Sequence, residues 1–261
     1  MPSESKEKGS DFEVTNLSIS FGGLKAVSNF NLHLKPKALH GLIGPNGAGK
    51  TTVFNLITGV YIPDAGDMRL GGKSLLGLKP YHITKAGIAR TFQNTRLFRE
   101  LSVLENVMVS YHMRVRYGYA DTFLRTNQFI RVEAEWEEQA RDLLELMGLA
   151  NRRWDPARSL PYGNQRRLEI ARALATNPKV LFLDEPAAGL NSQEKVELMK
   201  TIAQIRDRFN VTILLIEHDM KLVMGICESI TVLDHGETIA EGTPRQIQED
   251  PKVIEAYLGV A

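Results

Sequence analysis

The sequence predicts an α/β fold with a mixed, mostly parallel core sheet, a small antiparallel β region and an inserted helical subdomain. Three observations predict it. A short apolar run, Leu39–Ile43, enters a glycine-rich turn and then a helical pattern. Two further apolar runs, Val180–Leu183 and Val211–Ile216, have the length and continuity of parallel strands buried on both faces. Between the first run and the other two, residues from about 103 to 178 are mostly of helical character.

In chain order, Phe12–Phe21 and Phe30–Leu34 carry alternating or near-alternating apolar residues and read as strands. Lys50–Thr58 reads as a helix. Pro63-Asp64-Ala65-Gly66 and Gly71-Gly72 are turn signals around a short strand at Asp67–Leu70. Glu133–Met147 sets Trp136, Ala140, Leu143, Leu144 and Met147 at helical spacing, and Gly148 ends it. Asn164–Thr176 forms a second helix after the Pro161-Tyr162-Gly163 turn. Ile230–Leu233 and Glu237–Ala240 flank Asp234-His235-Gly236 as a hairpin, and Pro251–Leu258 is a short closing helix. The expected organisation is a disordered polar tail over 1–10 and one domain over 11–261. Within it, the helical subdomain covers about 94–178 and a C-terminal hairpin and helix about 230–261.

Composition narrows the function. Lys+Arg at 32 against Asp+Glu at 31 leaves a formal charge of +1, which gives no support for a nucleic-acid binder. Cys227 is the sole cysteine, so an internal disulfide is impossible and a reducing compartment fits. It reads as a small buried apolar residue. No apolar targeting segment is visible, and runs such as Ile213–Ile216 are far too short to span a bilayer. A membrane role is therefore expected from the surface, through partners.

Gly44-Pro45-Asn46-Gly47-Ala48-Gly49-Lys50-Thr51 fits the phosphate-loop pattern in full. Its glycines let backbone N–H groups turn inward around phosphates where a Cβ would obstruct them. The helix that follows points its N-terminus at the same anion. Lys50 supplies a mobile charge to the terminal phosphates, and the Thr51 hydroxyl can ligate Mg²⁺. With Thr52, the loop makes up the expected nucleotide-binding set. The loop alone says nucleotide binding; GTPases and small-molecule kinases share it.

Val180-Leu181-Phe182-Leu183-Asp184-Glu185-Pro186 is an apolar strand ending in two carboxylates, and it resembles the Walker B element of ABC-type ATPases. Alternation along the strand lets the two acids do different jobs. The resemblance implies that Asp184 reaches Mg²⁺ through water and that Glu185 polarises the attacking water. Gln93, in Arg90-Thr91-Phe92-Gln93, matches the family's Q-loop, which contacts Mg²⁺ and senses the membrane partner. His218, in Ile216-Glu217-His218-Asp219, matches the switch histidine that hydrogen-bonds the γ-phosphate. Phe21 stands where an aromatic stacks on adenine; its other reading is a core residue at a strand end.

The signature motif departs from the family pattern. Leu160-Pro161-Tyr162-Gly163-Asn164-Gln165 stands where Leu-Ser-Gly-Gly-Gln-Gln is common. Gly163 is retained, and the helix behind it is expected to contact the nucleotide of a partner subunit. Ala188-Gly189-Leu190-Asn191 resembles the D-loop, with Asn191 in place of the usual Asp. Tyr162–Ala173, Ala187–Asn191, Ile213–Met224 and Ile254–Gly259 are similar to the larger ATPase subunit of bacterial branched-chain amino-acid importers. The ATPase of lipopolysaccharide export is the nearest rival, and it typically lacks the extra length at about His112–Trp136.

The resemblance thus implies a P-loop nucleoside triphosphate hydrolase of ABC type that uses ATP and Mg²⁺. It implies peripheral attachment at the cytoplasmic face of the cell membrane. The implied partners are a second ATP-binding subunit, two transmembrane permeases and, indirectly, an external solute-binding protein, with no nucleic acid. A coupling groove is expected near Gln93–Val107, where Phe98, Leu101 and Val103 are either partner contacts or core residues. Soluble ABC-type ATPases form the alternative class, but they usually carry tandem domains or coiled coils, neither of which is seen here.

Overall fold

The computed structural model describes residues 11–93, 95–115 and 118–258; the polar segment 1–10 and Gly259 lie outside the described residues. The first half of the chain forms β1 (Phe12–Phe21), β2 (Leu24–Leu34), β3 (Leu39–Ile43), α1 (Lys50–Ile57), β4 (Ala65–Leu70), β5 (Lys73–Ser74), α2 (Pro80–Ala86), β6 (Ile88–Arg90) and α3 (Val103–Tyr111). There follow α4 (Tyr119–Leu124), α5 (Asn127–Leu146), α6 (Tyr162–Ala175), β7 (Val180–Asp184), α7 (Ser192–Phe209) and β8 (Thr212–Ile216). The chain then forms α8 (Met220–Ile226), β9 (Ser229–Asp234), β10 (Glu237–Gly242), α9 (Pro244–Glu249) and α10 (Pro251–Leu258).

These elements make two compact units. One comprises the described residues up to 90 with 179–186 and those from 202 onward; the other comprises 91–178 and 187–201. The first holds both sheets. Its six-stranded sheet runs β10-β9-β3-β8-β7-β6, parallel throughout except for the β9–β10 hairpin. All residues of β3, β7 and β8 are buried, which is why these strands lack polar alternation. The second sheet, β2-β1-β4-β5, is antiparallel, and β1 buries Phe12, Val14, Leu17 and Ile19. Phe182 of β7 meets Phe12 edge-on at 5.5 Å and Phe54 of α1 at 5.4 Å, so one aromatic trio joins the core sheet, the antiparallel sheet and the first helix. Strand β2 begins six residues before the expected Phe30, because its polar Lys25 and Asn29 conceal the pairing of Val27 with Ile19.

The second unit is helical. Ser102 and Glu105 cap α3 reciprocally: the Ser102 Oγ accepts the Glu105 N–H at 3.2 Å, and Glu105 accepts the Ser102 N–H at 2.7 Å. Helix α5 buries Trp136, Ala140, Leu143 and Leu144, the stripe the spacing implies, but starts at Asn127, where the Thr126 hydroxyl accepts the Phe129 N–H. Val103 is fully buried, whereas Phe98 is exposed, with the Arg172 guanidinium 4.9 Å from its ring centroid. Val103 is therefore core, and Phe98 remains a surface residue. In the first unit Cys227 is buried, and burial pushes its thiol up to about 12. No described helix is long and apolar enough to cross a membrane.

Candidate active site

Strand β3 delivers the chain into the glycine-rich loop. Gly44 has φ +154°, and a Cβ there would lie 2.1 Å from the Leu233 carbonyl oxygen. Gly49 has φ +100°, and a Cβ there would lie 2.8 Å from the Ala26 carbonyl oxygen. Only glycine fits either place. The loop is fastened by the β9–β10 turn: the Gly236 N–H donates to the Ala48 carbonyl at 3.0 Å, and the Ser28 N–H donates to Gly236 at 2.8 Å. Within it, the Ala48 N–H donates to the Pro45 carbonyl at 3.2 Å, while Asn46 and Gly47 lie on the exposed side. Gly49 is the N-cap of α1 and supplies no side-chain acceptor, so the helix start presents backbone N–H groups.

Lys50 is buried in the same loop and donates from Nζ to the carbonyls of Gly44 at 2.7 Å and Pro45 at 2.8 Å. Burial holds its pKa below the ordinary lysine value, opposed by the negative charges of Glu185 and Asp184. The loop cation and the two carboxylates at the end of β7 therefore share one electrostatic site. Thr51 is exposed and Thr52 half-buried at the start of α1.

Asp184 is buried, with Arg90 Nη2 at 3.6 Å from its carboxylate. Arg90 also donates to Asn55 at 3.0 Å and to Thr58 at 2.8 Å, which fixes the guanidinium beside the acid. Glu185 leaves the strand in the left-handed region at φ +45°, and its N–H donates to the Ile216 carbonyl at 2.9 Å. The expected alternation is thus supplemented by a turn that re-aims Glu185, a conformation that costs a non-glycine residue about 1 kcal/mol or more. His218, after β8, brings Nδ1 to 3.9 Å from Glu185 and 4.0 Å from the buried Glu217, beyond hydrogen-bond distance of either. Phe21 is 45% exposed and sits edge-on to Tyr61 at 5.3 Å, so it is a surface aromatic with a fixed ring and not a core residue.

Gln93 and Gly163 belong to the second unit. There Arg166 of α6 is buried and donates to the carbonyls of Phe92 and Gln93, to Glu169 at 3.3 Å and to the Tyr162 hydroxyl at 2.7 Å. Glu169 in turn accepts the Phe92 N–H at 3.0 Å, and burial raises its carboxyl above the ordinary range. Gly163 faces Leu190, 3.1 Å from where a Cβ would stand. Gly189, at φ +75°, lies under the Tyr162 ring, where a Cβ would approach to 3.0 Å.

A family model described as ABC transporter matches residues 27–188. The chain belongs to the ABC transporter ATPases. A second model, described as branched-chain amino acid ATP-binding cassette transporter, matches residues 237–261. This ABC ATPase is 51% identical over 248 residues to LivG of Escherichia coli strain K12, a high-affinity branched-chain amino acid transport ATP-binding protein, covering 95% of this chain and 97% of that one. It is 49% identical to BraF of Pseudomonas aeruginosa, which bears the same description, over 95% and 98% of the two chains. It is only 33% identical to LptB of Haemophilus influenzae, a lipopolysaccharide export system ATP-binding protein, over 94% and 95%. A solved ATP-binding cassette of an ABC transporter, in its ADP conformation, superposes with a TM-score of 0.83 at 30% identity, over 96% and 99% of the chains. The fold is that of an ABC ATPase, and the protein is an ATP hydrolase.

Two parts of this ABC ATPase escape sequence reading. Tyr162 looks like a lost signature glycine, yet its ring covers Gly189 and its hydroxyl engages Arg166; the only sequence signal is an arginine four residues on. Asn191 looks like a weakened D-loop acid, yet its side chain accepts the Glu194 N–H at 2.9 Å while Glu194 accepts the Asn191 N–H at 2.9 Å. Asn and Asp serve that capping role almost equally well.

Proposed function

We propose that this chain is the ATP-hydrolysing subunit of an importer for branched-chain or related amino acids. It works at the cytoplasmic face of the cell membrane, as one of a pair of ATPase subunits acting on two permeases. An external binding protein delivers the solute. One observation carries the catalytic part: the Lys50 ammonium, held in a glycine-built loop, lies in the field of Asp184 and Glu185 on the same sheet. The likeness to LivG and BraF over nearly the whole chain supports the solute class.

In this reading Gly44–Thr52 cradle the phosphates and Phe21 stacks on adenine. The hydroxyl and carboxylate oxygens of Thr51 and Asp184, with the Gln93 amide oxygen, are the hard donors that suit Mg²⁺. When bound, Mg²⁺ neutralises charge on the terminal phosphates. Glu185 accepts a proton from and orients the attacking water, while Lys50 and His218 stabilise charge on the γ-phosphate. Gly163 and the start of α6 serve the nucleotide of the partner subunit, whose closure excludes water.

The test is affinity capture of the tagged full chain from its own detergent-solubilised membranes. Co-purification of two multi-span permeases and a second ATPase is expected. Recovery of lipopolysaccharide-export components redirects the solute class. Ribosomal or DNA-repair partners, or no membrane protein after crosslinking, overturn the transporter reading.

A further inference from the structure

Asp184 is the acid proposed to serve Mg²⁺, and the cation that faces it has no part in the proposed chemistry. Arg90 ends β6, where the parallel register sets it opposite Phe182 of β7, two residues before Asp184. Both side chains are withdrawn from water, Arg90 to 11% and Asp184 to 4% exposure, and Arg90 Nη2 stands 3.6 Å from the carboxylate. That is ion-pair distance, just beyond hydrogen-bond reach. At so little exposure the charge contact is weakly screened.

The guanidinium is held by the end of α1. Its Nη1 donates to the Asn55 side chain at 3.0 Å and to the Thr58 hydroxyl at 2.8 Å, and its carbon lies 5.5 Å from the Phe54 ring centroid. Thr58 is itself fixed, since its hydroxyl donates to the Phe54 carbonyl at 2.6 Å. A guanidinium is a rigid planar fork, so committing Nη1 orients Nη2 as well. Helix α1 thus begins at the phosphate loop and ends in a clasp that points a permanent cation at Asp184. A buried carboxylate able to take Mg²⁺ attracts the free ion as well as the nucleotide-bound one. A fixed cation beside it offsets that attraction, whereas the terminal phosphates of a bound nucleotide bring negative charge of their own. We propose that Arg90 is a positioning residue for the metal: clasped by α1, it fixes the Asp184 carboxylate and offsets its charge, so that a divalent cation enters with the nucleotide and not into the empty protein. The inference rests on the reading that Asp184 serves Mg²⁺.

The probe is Mn²⁺, followed by electron paramagnetic resonance on the full chain with and without a non-hydrolysable ATP analogue. Arg90→Met removes the charge but keeps an apolar stem, and without nucleotide it should bind Mn²⁺ about tenfold tighter than the wild type, or more. Arg90→Lys keeps a cation and should stay near the wild type. Lost packing or stability does not produce a gain in metal affinity, so this readout separates positioning from a merely structural role. Arg90→Gln, neutral but still able to donate to Asn55 and Thr58, carries the same test where Arg90→Met does not fold. Adding Asp184→Asn to either neutral variant should abolish the gain. Equal Mn²⁺ affinity in the empty wild type and the neutral variant overturns the proposal, as does an equal gain in Arg90→Lys. The single variant Asp184→Asn, measured with the analogue present, tells the two readings apart. Weakened Mn²⁺ binding there keeps Asp184 on the metal even where the Arg90 result fails. Unchanged binding there takes Asp184 off the metal, and the Arg90 proposal falls with it.

Discussion

The phosphate loop and the start of α6 are both turns that launch a helix, and they are built in opposite ways. Neither helix has a side-chain cap: Gly49 and Pro161 carry no oxygen to offer, in contrast to Ser102, Thr126 and Thr243 before α3, α5 and α9. The loop gets its shape from absent side chains and from backbone tethers to the β9–β10 turn. The start of α6 gets its shape from present ones, with Arg166, Glu169 and Tyr162 locked to the backbone of Phe92 and Gln93. A site made of glycine backbone tolerates no added Cβ. One made of a side-chain network can exchange a residue, provided the network closes again, and that is how Tyr162 stands where glycine is usual.

Three measurements test this contrast, beginning with the largest effect. Glu185→Gln keeps the shape of the loop side and removes the carboxylate proposed as its base, so ATP is expected still to bind while turnover falls by about 10²–10⁴. Near-normal turnover in single-turnover assays takes the chemistry away from this residue. On the other side, Arg166→Met leaves Glu169 buried without its cation. Breaking such a pair costs about 3–5 kcal/mol, read as a lower denaturation midpoint. A change below about 1 kcal/mol means that the network is not what supports α6.

The third measurement concerns the strand leading into the loop. His40 of β3 is buried between the Thr231 hydroxyl at 2.8 Å and the Ser229 hydroxyl at 2.7 Å, and burial lowers its pKa from 6.5 to about 4. Its folded-state pKa is depressed, so the unfolded chain takes up the proton first as pH falls. The stabilisation is complete above pH 6.5 and is lost on acidification toward pH 4, about 3 kcal/mol in all. Thermal melts between pH 7 and 4.5 should show a steeper loss in the wild type than in His40→Gln. Parallel curves mean that His40 does not set the acid limit of this sheet.

The loop side was nearly all readable in advance, because its chemistry is written in consecutive residues. Leu39–Ile43, Gly44–Thr51 and Val180–Glu185 each carry their own signal, and β3, α1 and β7 form where that signal lies. Helices α2, α7 and α8 and strand β6 went unread: α2, α8 and β6 are too short to show a period, and α7 buries Leu198, Ile202 and Ile205 among many charges. What joins distant residues was also unreadable. Nothing local in Arg90 announces Asp184, nor in His40 announces Thr231, because pairing across the chain leaves no periodicity. The left-handed Glu185 was hidden too, since the turn is imposed by its hydrogen bond to Ile216 and not by residue type.

One feature of the core sheet bears on how a new copy of the protein comes into being. β3, the strand that feeds the phosphate loop, lies between β8 and β9, both drawn from the last quarter of the sequence. During synthesis the loop emerges early but has no sheet to stand on until those two strands leave the ribosome. Such long-range closure is slow. The nascent chain therefore passes through most of its own translation without the sheet that supports the proposed ATP site, and it acquires that support only as β8 and β9 arrive.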